Sequence, residues 1–283
     1  MSKTMVITGA STGIGRACAL HFDKKGYRVF AGVRKEADAE SLKSEASDRL
    51  TPLMLDVTDG ESVERAARTV KEAVGEAGLD GLINNAGLSA VGPTEVFPVD
   101  RFRDIFEVNL FGLLAVTQAF LPLLRKANGR IINMSSQGGR FAIPLIGAYC
   151  ASKHALEAMS DSLRVELLPS GVKVILIEPS SIKTPIWEKT KTGAQNLVDS
   201  IPEDKRGLYE KELATILSSV KTYERMAIPP ERVVKAVERA FTANRPKLRY
   251  LVGLESYLLI YMVGSLPRKL VDRIFARRIR NSG

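Results

Sequence analysis

The chain has 283 residues, 45% hydrophobic and 26% charged, with 22 Gly and 13 Pro; these values exclude a disordered, collagen-like or low-complexity protein. Two cysteines, Cys18 and Cys150, exclude a disulfide framework, and such usage fits a reducing, cytoplasmic compartment. The net charge is +9, but residues 245–283 hold nine basic residues against two acidic ones, so the excess is local and excludes a nucleic-acid face on the body.

The opening Met5-Val6-Ile7 run is too short for a signal-peptide core, and a Gly-rich turn follows it at once. From there, short β-rich runs alternate with helical spacing. Strands are predicted at 5–7, 28–33, 52–55, 81–83, 130–134 and 173–177. Helices are predicted at 14–25, 38–46, 61–74, 100–126 and 149–167. Strand–helix alternation with nearly all-apolar strands predicts a doubly wound parallel α/β sheet, covered on both faces. After Pro179 the pattern loosens. Residues 184–202 hold few periodic apolar positions, 203–223 and 230–242 read as helices, and 249–252 as a last strand. Residues 1–253 are taken as one domain with a substrate loop at 180–225, followed by a basic extension at 254–283. No run of 18 uninterrupted apolar residues occurs.

Thr8-Gly9-Ala10-Ser11-Thr12-Gly13-Ile14-Gly15 joins the first strand to the first helix. Glycines there let backbone N–H groups approach a pyrophosphate at a helix N-terminus. The bland alternative is a plain strand–helix turn. Arg34 stands at the end of the second strand, where no acid occupies the ribose position. Its fork suits a 2′-phosphate, pointing to NADP(H) over NAD(H), unless Arg34 is a solvated loop charge. Asp56 ends the third strand, placed to meet adenine or to cap a turn. Tyr149 and Lys153 share one helix face, so the ammonium can lower the phenol's pKa. Ser135-Ser136 follows a strand at the carboxyl edge, where a serine hydroxyl and that of Tyr149 can meet one carbonyl oxygen. His21 and His154 have no ligand partner at useful spacing, so no metal site is predicted. Asn133-Met134-Ser135 matches a glycosylation sequon but lies on a predicted core strand.

These residues resemble the short-chain dehydrogenase/reductases over residues 4 to about 185. Five motifs occur in order: Thr8 to Gly15, Asn84-Asn85-Ala86-Gly87, Asn109, Ser136 thirteen residues before the tyrosine, and Tyr149-Cys150-Ala151-Ser152-Lys153. The resemblance implies a Rossmann-type fold and hydride transfer between a nicotinamide cofactor and an alcohol or carbonyl. It implies Tyr149 as proton donor or acceptor and Lys153 as its pKa partner and ribose ligand. Ser136 would hold the substrate oxygen and Asn109 a relay water. Gly9, Ser11, Thr12, Gly13, Ile14, Gly15, Asn85, Ala86 and Gly87 would hold the cofactor. Pro179, Ile182 and Thr184 would meet its nicotinamide end. One departure is Pro179-Ser180, where the family usually has Pro-Gly; serine dislikes positive φ.

Phe141 and Trp187, with Ile143, Leu145, Ile186 and Leu197, suit an apolar substrate or serve as plain core. The resemblance, looser in the tail, extends to retinol and hydroxysteroid dehydrogenases. It also implies a homodimer or homotetramer through helices 100–126 and 149–167, whose apolar faces otherwise pack within the chain. The basic tail, with Leu270, Val271, Ile274 and Phe275 at helical spacing, makes peripheral membrane contact or caps the cleft. The alternative to an enzyme is a non-catalytic NADP(H) sensor or membrane-surface scaffold on the same fold.

Overall fold

The computed structural model describes residues 2–201, 207–209 and 224–280. Seven parallel strands form one sheet: β1 Thr4–Ile7, β2 Arg28–Val33, β3 Leu50–Met54, β4 Gly81–Asn84, β5 Arg130–Met134, β6 Lys173–Pro179 and β7 Arg249–Val252. Their order is β3-β2-β1-β4-β5-β6-β7. The chain runs outward from β1 to β3, returns to β4, then runs outward the other way. The switch between β1 and β4 opens a crevice at the strands' carboxyl ends, where such sheets bind ligands.

Successive strand residues face opposite sides, and each side has its own core. On one, Met5, Ile7, Val29 and Ile132 meet Phe22 of α1 (Gly13–Lys24), Leu42 of α2 (Glu36–Lys43) and Phe241 of α7 (Glu231–Thr242). On the other, Val6, Phe30, Leu82 and Ile131 meet Val70 of α3 (Gly60–Val74) and Phe120 of α4 (Val99–Lys126). Each fully buried Phe contributes about 1.5–3 kcal/mol relative to exposure. The 28-residue α4 is long and apolar enough by composition to cross a membrane, but its Val116, Phe120 and Leu124 are core residues here.

Among the described residues the remaining longer helices are α5 Gly147–Glu166, α6 Ile186–Ser200, α8 Leu254–Val263 and α9 Arg268–Arg280. Residues 184–202, expected to be loosely patterned, contain α6. Its Ala194 and Leu197 are buried, an apolar face too narrow for periodicity to show. The helix predicted over 203–223 lies largely outside the described residues. The predicted division at 253/254 falls where β7 ends and α8 begins.

Candidate active site

A cleft of about 420 Å³ opens over the carboxyl ends of β1, β4, β5 and β6. Its inner wall is the turn between β1 and α1. Gly9 and Gly13 there have φ of 65° and 59°. A Cβ on Gly15 would lie 2.3 Å from the Gly9 carbonyl oxygen and 2.4 Å from Asn85 Nδ2. Asn85 Nδ2 donates to the Thr8 and Gly9 carbonyls at 3.0 Å each, fixing the turn on the end of β4.

The helix α1 opens at Thr12 with no side-chain cap and no acid in its first turn. By contrast, Asp59 accepts the Glu61 N–H at the start of α3. The open N–H groups and positive dipole end of α1 fit a pyrophosphate. On the rim Arg34 is exposed, 4.0 Å from Asp56 Oδ2. Asp56 Oδ1 accepts from the Thr58 N–H and hydroxyl, so this acid both turns the chain and lines the cleft. The residues present therefore fit a dinucleotide, with a cation at its adenosine end.

At the other end, Ser136, Tyr149 and Lys153 converge. Ser136 leaves β5 and accepts the Gly138 N–H at 3.1 Å; its hydroxyl is the polar neighbour that works against burial at the Tyr149 phenol. Lys153 Nζ donates to the Met134 carbonyl at 2.8 Å and lies 5.9 Å from the Tyr149 ring centre. Burial pushes the Tyr149 phenol up to about 12, against the neighbouring Ser136 hydroxyl. Burial pulls the Lys153 ammonium down to about 8, against the Glu157 carboxylate. At neutral pH the phenol keeps its proton and the ammonium is largely charged.

Asn109 sits in a π-helical stretch of α4, Glu107–Gly112. Its Oδ1 accepts the Leu88 N–H at 2.7 Å, and its Nδ2 donates to the Leu88 carbonyl and the Ser152 hydroxyl at 3.0 Å each. A Cβ on Gly87 would lie 3.3 Å from Asn109 Oδ1 and 3.8 Å from Lys153 Nζ. Thus Gly87 and Lys153 line one corner of the cleft, and the fully buried Asn109 backs it from behind.

Of the residues predicted to meet the nicotinamide end, Pro179, Ile182 and Thr184 line the cleft. Thr184 packs on Gly13 so closely that a Cβ there would lie 3.0 Å from its Cγ2. Ser180 keeps an ordinary backbone: among the described residues, only Asn128 and Leu145 are non-glycines with positive φ. The positive φ falls across from it, at Gly253 (107°), whose missing Cβ leaves room for the Ser180 hydroxyl.

The substrate-side residues divide. Trp187 lines the cleft and donates from Nε1 to the Ile182 carbonyl at 2.7 Å. Ile143, Leu145 and Ile186 also line it. Phe141 is buried elsewhere, against α9, with its ring 5.9 Å from that of Phe275 and 5.8 Å from the Arg268 guanidinium. Leu197 is likewise buried, against Gly92. Phe275, not singled out for the cleft from sequence, lines it instead. The only signal for it was its place in the tail's apolar spacing. His21 pairs with Glu238 and His154 with the Cys150 carbonyl; no metal-type cluster occurs among the described residues.

A short chain dehydrogenase family model matches residues 3–195. The chain is 41% identical over 277 residues to mouse retinol dehydrogenase 16, covering 96% of this chain and 87% of that one. It is 36% identical over 280 residues to an NADPH-dependent 3-dehydrocapnine reductase of Ornithobacterium rhinotracheale, covering 97% and 96%. A solved short chain dehydrogenase from Burkholderia cenocepacia J2315, in complex with NADP, superposes with a TM-score of 0.74 at 28% identity, covering 96% and 97%. The crevice at the switch point, the uncapped α1 and the Ser136–Tyr149–Lys153 group agree with that match: the chain belongs to the short chain dehydrogenase family of oxidoreductases, which use a nicotinamide cofactor on small-molecule substrates.

Proposed function

We propose that the protein reduces a bulky, apolar carbonyl compound with NADPH. The observation that carries this reading is the buried Tyr149 phenol, which burial keeps protonated at neutral pH and which lines one cleft with Ser136, Lys153 and an apolar wall. The cofactor, when bound, supplies the hydride. The protein's residues do the rest. Ser136 and Tyr149 hold the substrate oxygen, and Tyr149 gives it a proton. Lys153 steadies the charge left on Tyr149. Lys153 then returns a proton to Tyr149, and Asn109 backs the corner through which solvent reprotonates Lys153. Ser11 to Gly15 take the pyrophosphate, Asn85 to Gly87 form the floor, and Asp56 meets the adenine. Arg34 takes the 2′-phosphate, and the NADPH-dependent relative and the NADP-bound neighbour support that choice. Ile143, Leu145, Ile186, Trp187 and Phe275 take the apolar body of the substrate, in keeping with a relative named for retinol.

The test is oxidation of NADPH, followed by absorbance, against a panel of apolar ketones and aldehydes, with Tyr149→Phe as control. Turnover that disappears in Tyr149→Phe while NADPH still binds supports the reading. Equal turnover in both proteins sinks it. Reduction should fall as pH rises through about 8, because Lys153 then loses its charge.

We also propose that residues 254–280 lie against an anionic membrane surface. Leu254, Tyr257, Leu258, Tyr261 and Met262 of α8 and Leu270 and Ile274 of α9 are exposed, next to exposed Lys269 and Arg273. Basic residues near such a surface contribute about 1 kcal/mol each.

A further inference from the structure

Behind the Tyr149–Lys153 pair lies a buried cluster of charge that the proposed reaction does not use. Glu157 sits one helical turn beyond Lys153 on α5 and is 6% exposed. Its Oε1 accepts the Ser135 hydroxyl at 2.5 Å, and its Oε2 accepts from Arg249 Nε at 3.0 Å. Arg249, on β7, is shared. Its Nε lies 3.2 Å from Glu178 Oε1, and its Nη2 donates to Asp161 Oδ2 at 2.7 Å. Glu178, on β6, is fully buried; Arg140 reaches its Oε1 at 3.5 Å, and its Oε2 has no hydrogen-bond partner. Burial, together with Glu157, pushes Glu178 up to about 7, against Arg140 and Arg249.

Buried ion clusters are weak devices for stability, since well-packed apolar groups often do as well. The position of this one says more. Ser135 is held by Glu157, and the next residue, Ser136, meets Tyr149. Gly139 closes the same turn on α5: a Cβ there would lie 2.8 Å from Ser135 Oγ, 3.0 Å from the Lys153 carbonyl and 3.1 Å from Glu157 Cγ. The Glu157 carboxylate is also the charge that works against burial at Lys153. Other groups facing this region are Glu178 from β6, Arg249 from β7 and Arg140 from the turn. The α4 helix contributes uncharged Asn109, its Asp104 and Glu107 being exposed.

We infer that Glu157 is a positioning residue of the reaction: it seats Ser136 through Ser135 and sets a negative charge behind Lys153, with Arg249 holding it in place. This rests on the reading of Tyr149 and Lys153 given above.

The experiment is the pH profile of NADPH-dependent reduction for wild type, Glu157→Gln, Glu157→Asp, Ser135→Ala and Tyr149→Phe, with thermal melting of each. In Glu157→Gln the falling alkaline limb should move to lower pH by about half a unit, because Lys153 loses its proton more easily. Its kcat should drop roughly tenfold, about 1.4 kcal/mol of barrier, while KM for NADPH stays within about twofold, as expected when an interaction made only in the transition state is lost. Glu157→Asp keeps the charge and should restore the limb. Ser135→Ala should lose kcat several-fold with the limb in place. An unmoved limb in Glu157→Gln, with a loss confined to melting temperature, overturns the inference. If Glu157→Gln does not fold, unchanged kcat in Ser135→Ala overturns it. Turnover retained by Tyr149→Phe would instead overturn the underlying reading.

Discussion

On the proposed reading, Arg34 is the residue on which cofactor choice turns. It is exposed on the rim and paired only loosely with Asp56 at 4.0 Å, so its fork is free to take a phosphate. Arg34→Ala should raise KM for NADPH by roughly 10- to 100-fold, about the 1.5–3 kcal/mol of a hydrogen bond to a charged group, with KM for NADH little changed. Equal losses with both cofactors would show that Arg34 does not read the 2′-phosphate. At this scale the meeting of Ser136, Tyr149 and Lys153 in one cleft was readable in the sequence, through the resemblance that their ordered motifs carry. Glu157 and Arg249 were not readable: they are 92 residues apart, and only the packing of β7 beside β6 brings them together. Phe141 and Phe275 show the same limit. Both are apolar and near the cleft, and only the docking of α9 decides which one faces it.

Among the elements, the strands were the most legible, because doubly buried parallel strands are nearly all apolar. The α6 helix was the least legible, since its buried face is short and it shields the cleft rather than entering the main core. Two positions between the elements show opposite sides of backbone strain. Leu145 has φ 68° and its carbonyl accepts the Gly92 N–H at 2.7 Å, so tertiary contacts hold a leucine where glycine is at ease. Leu145→Gly relieves that strain but loses an apolar contact, so KM for an apolar substrate should rise while stability changes little. At Gly253 the situation is reversed. Gly253→Ala adds a Cβ at φ 107°, against the Ser180 hydroxyl, and should cost about 1–3 kcal/mol, read as a lower denaturant midpoint. Gly253→Ala with Ser180→Gly should recover part of that loss, because the two side chains compete for one space.

For the molecule as a whole, pH enters through Glu178. Its folded pKa is raised to about 7, above the ordinary carboxyl value, so the folded state binds this proton more tightly than the unfolded one. Its contribution to stability is full at low pH and is lost as pH rises through about 7. Glu178→Gln should flatten that part of the melting-temperature profile; an unchanged profile would mean that the cluster compensates elsewhere. The tail acts at this scale too. Deleting residues 266–283 should abolish sedimentation with phosphatidylglycerol vesicles and raise KM for apolar substrates, because it removes both the basic face and Phe275. Binding to vesicles that survives the deletion would place any membrane contact on another surface.

The order of synthesis adds a last consequence. The sheet and the cofactor crevice are complete in sequence at Val252, whereas Phe275 lies 23 residues later. At the usual pace of translation those residues take about 1–5 s to appear. On the proposed reading, a nascent chain therefore has the residues that hold the cofactor before it has Phe275 of the substrate wall. The two capacities mature in that order, and a chain released early would keep the first without the second.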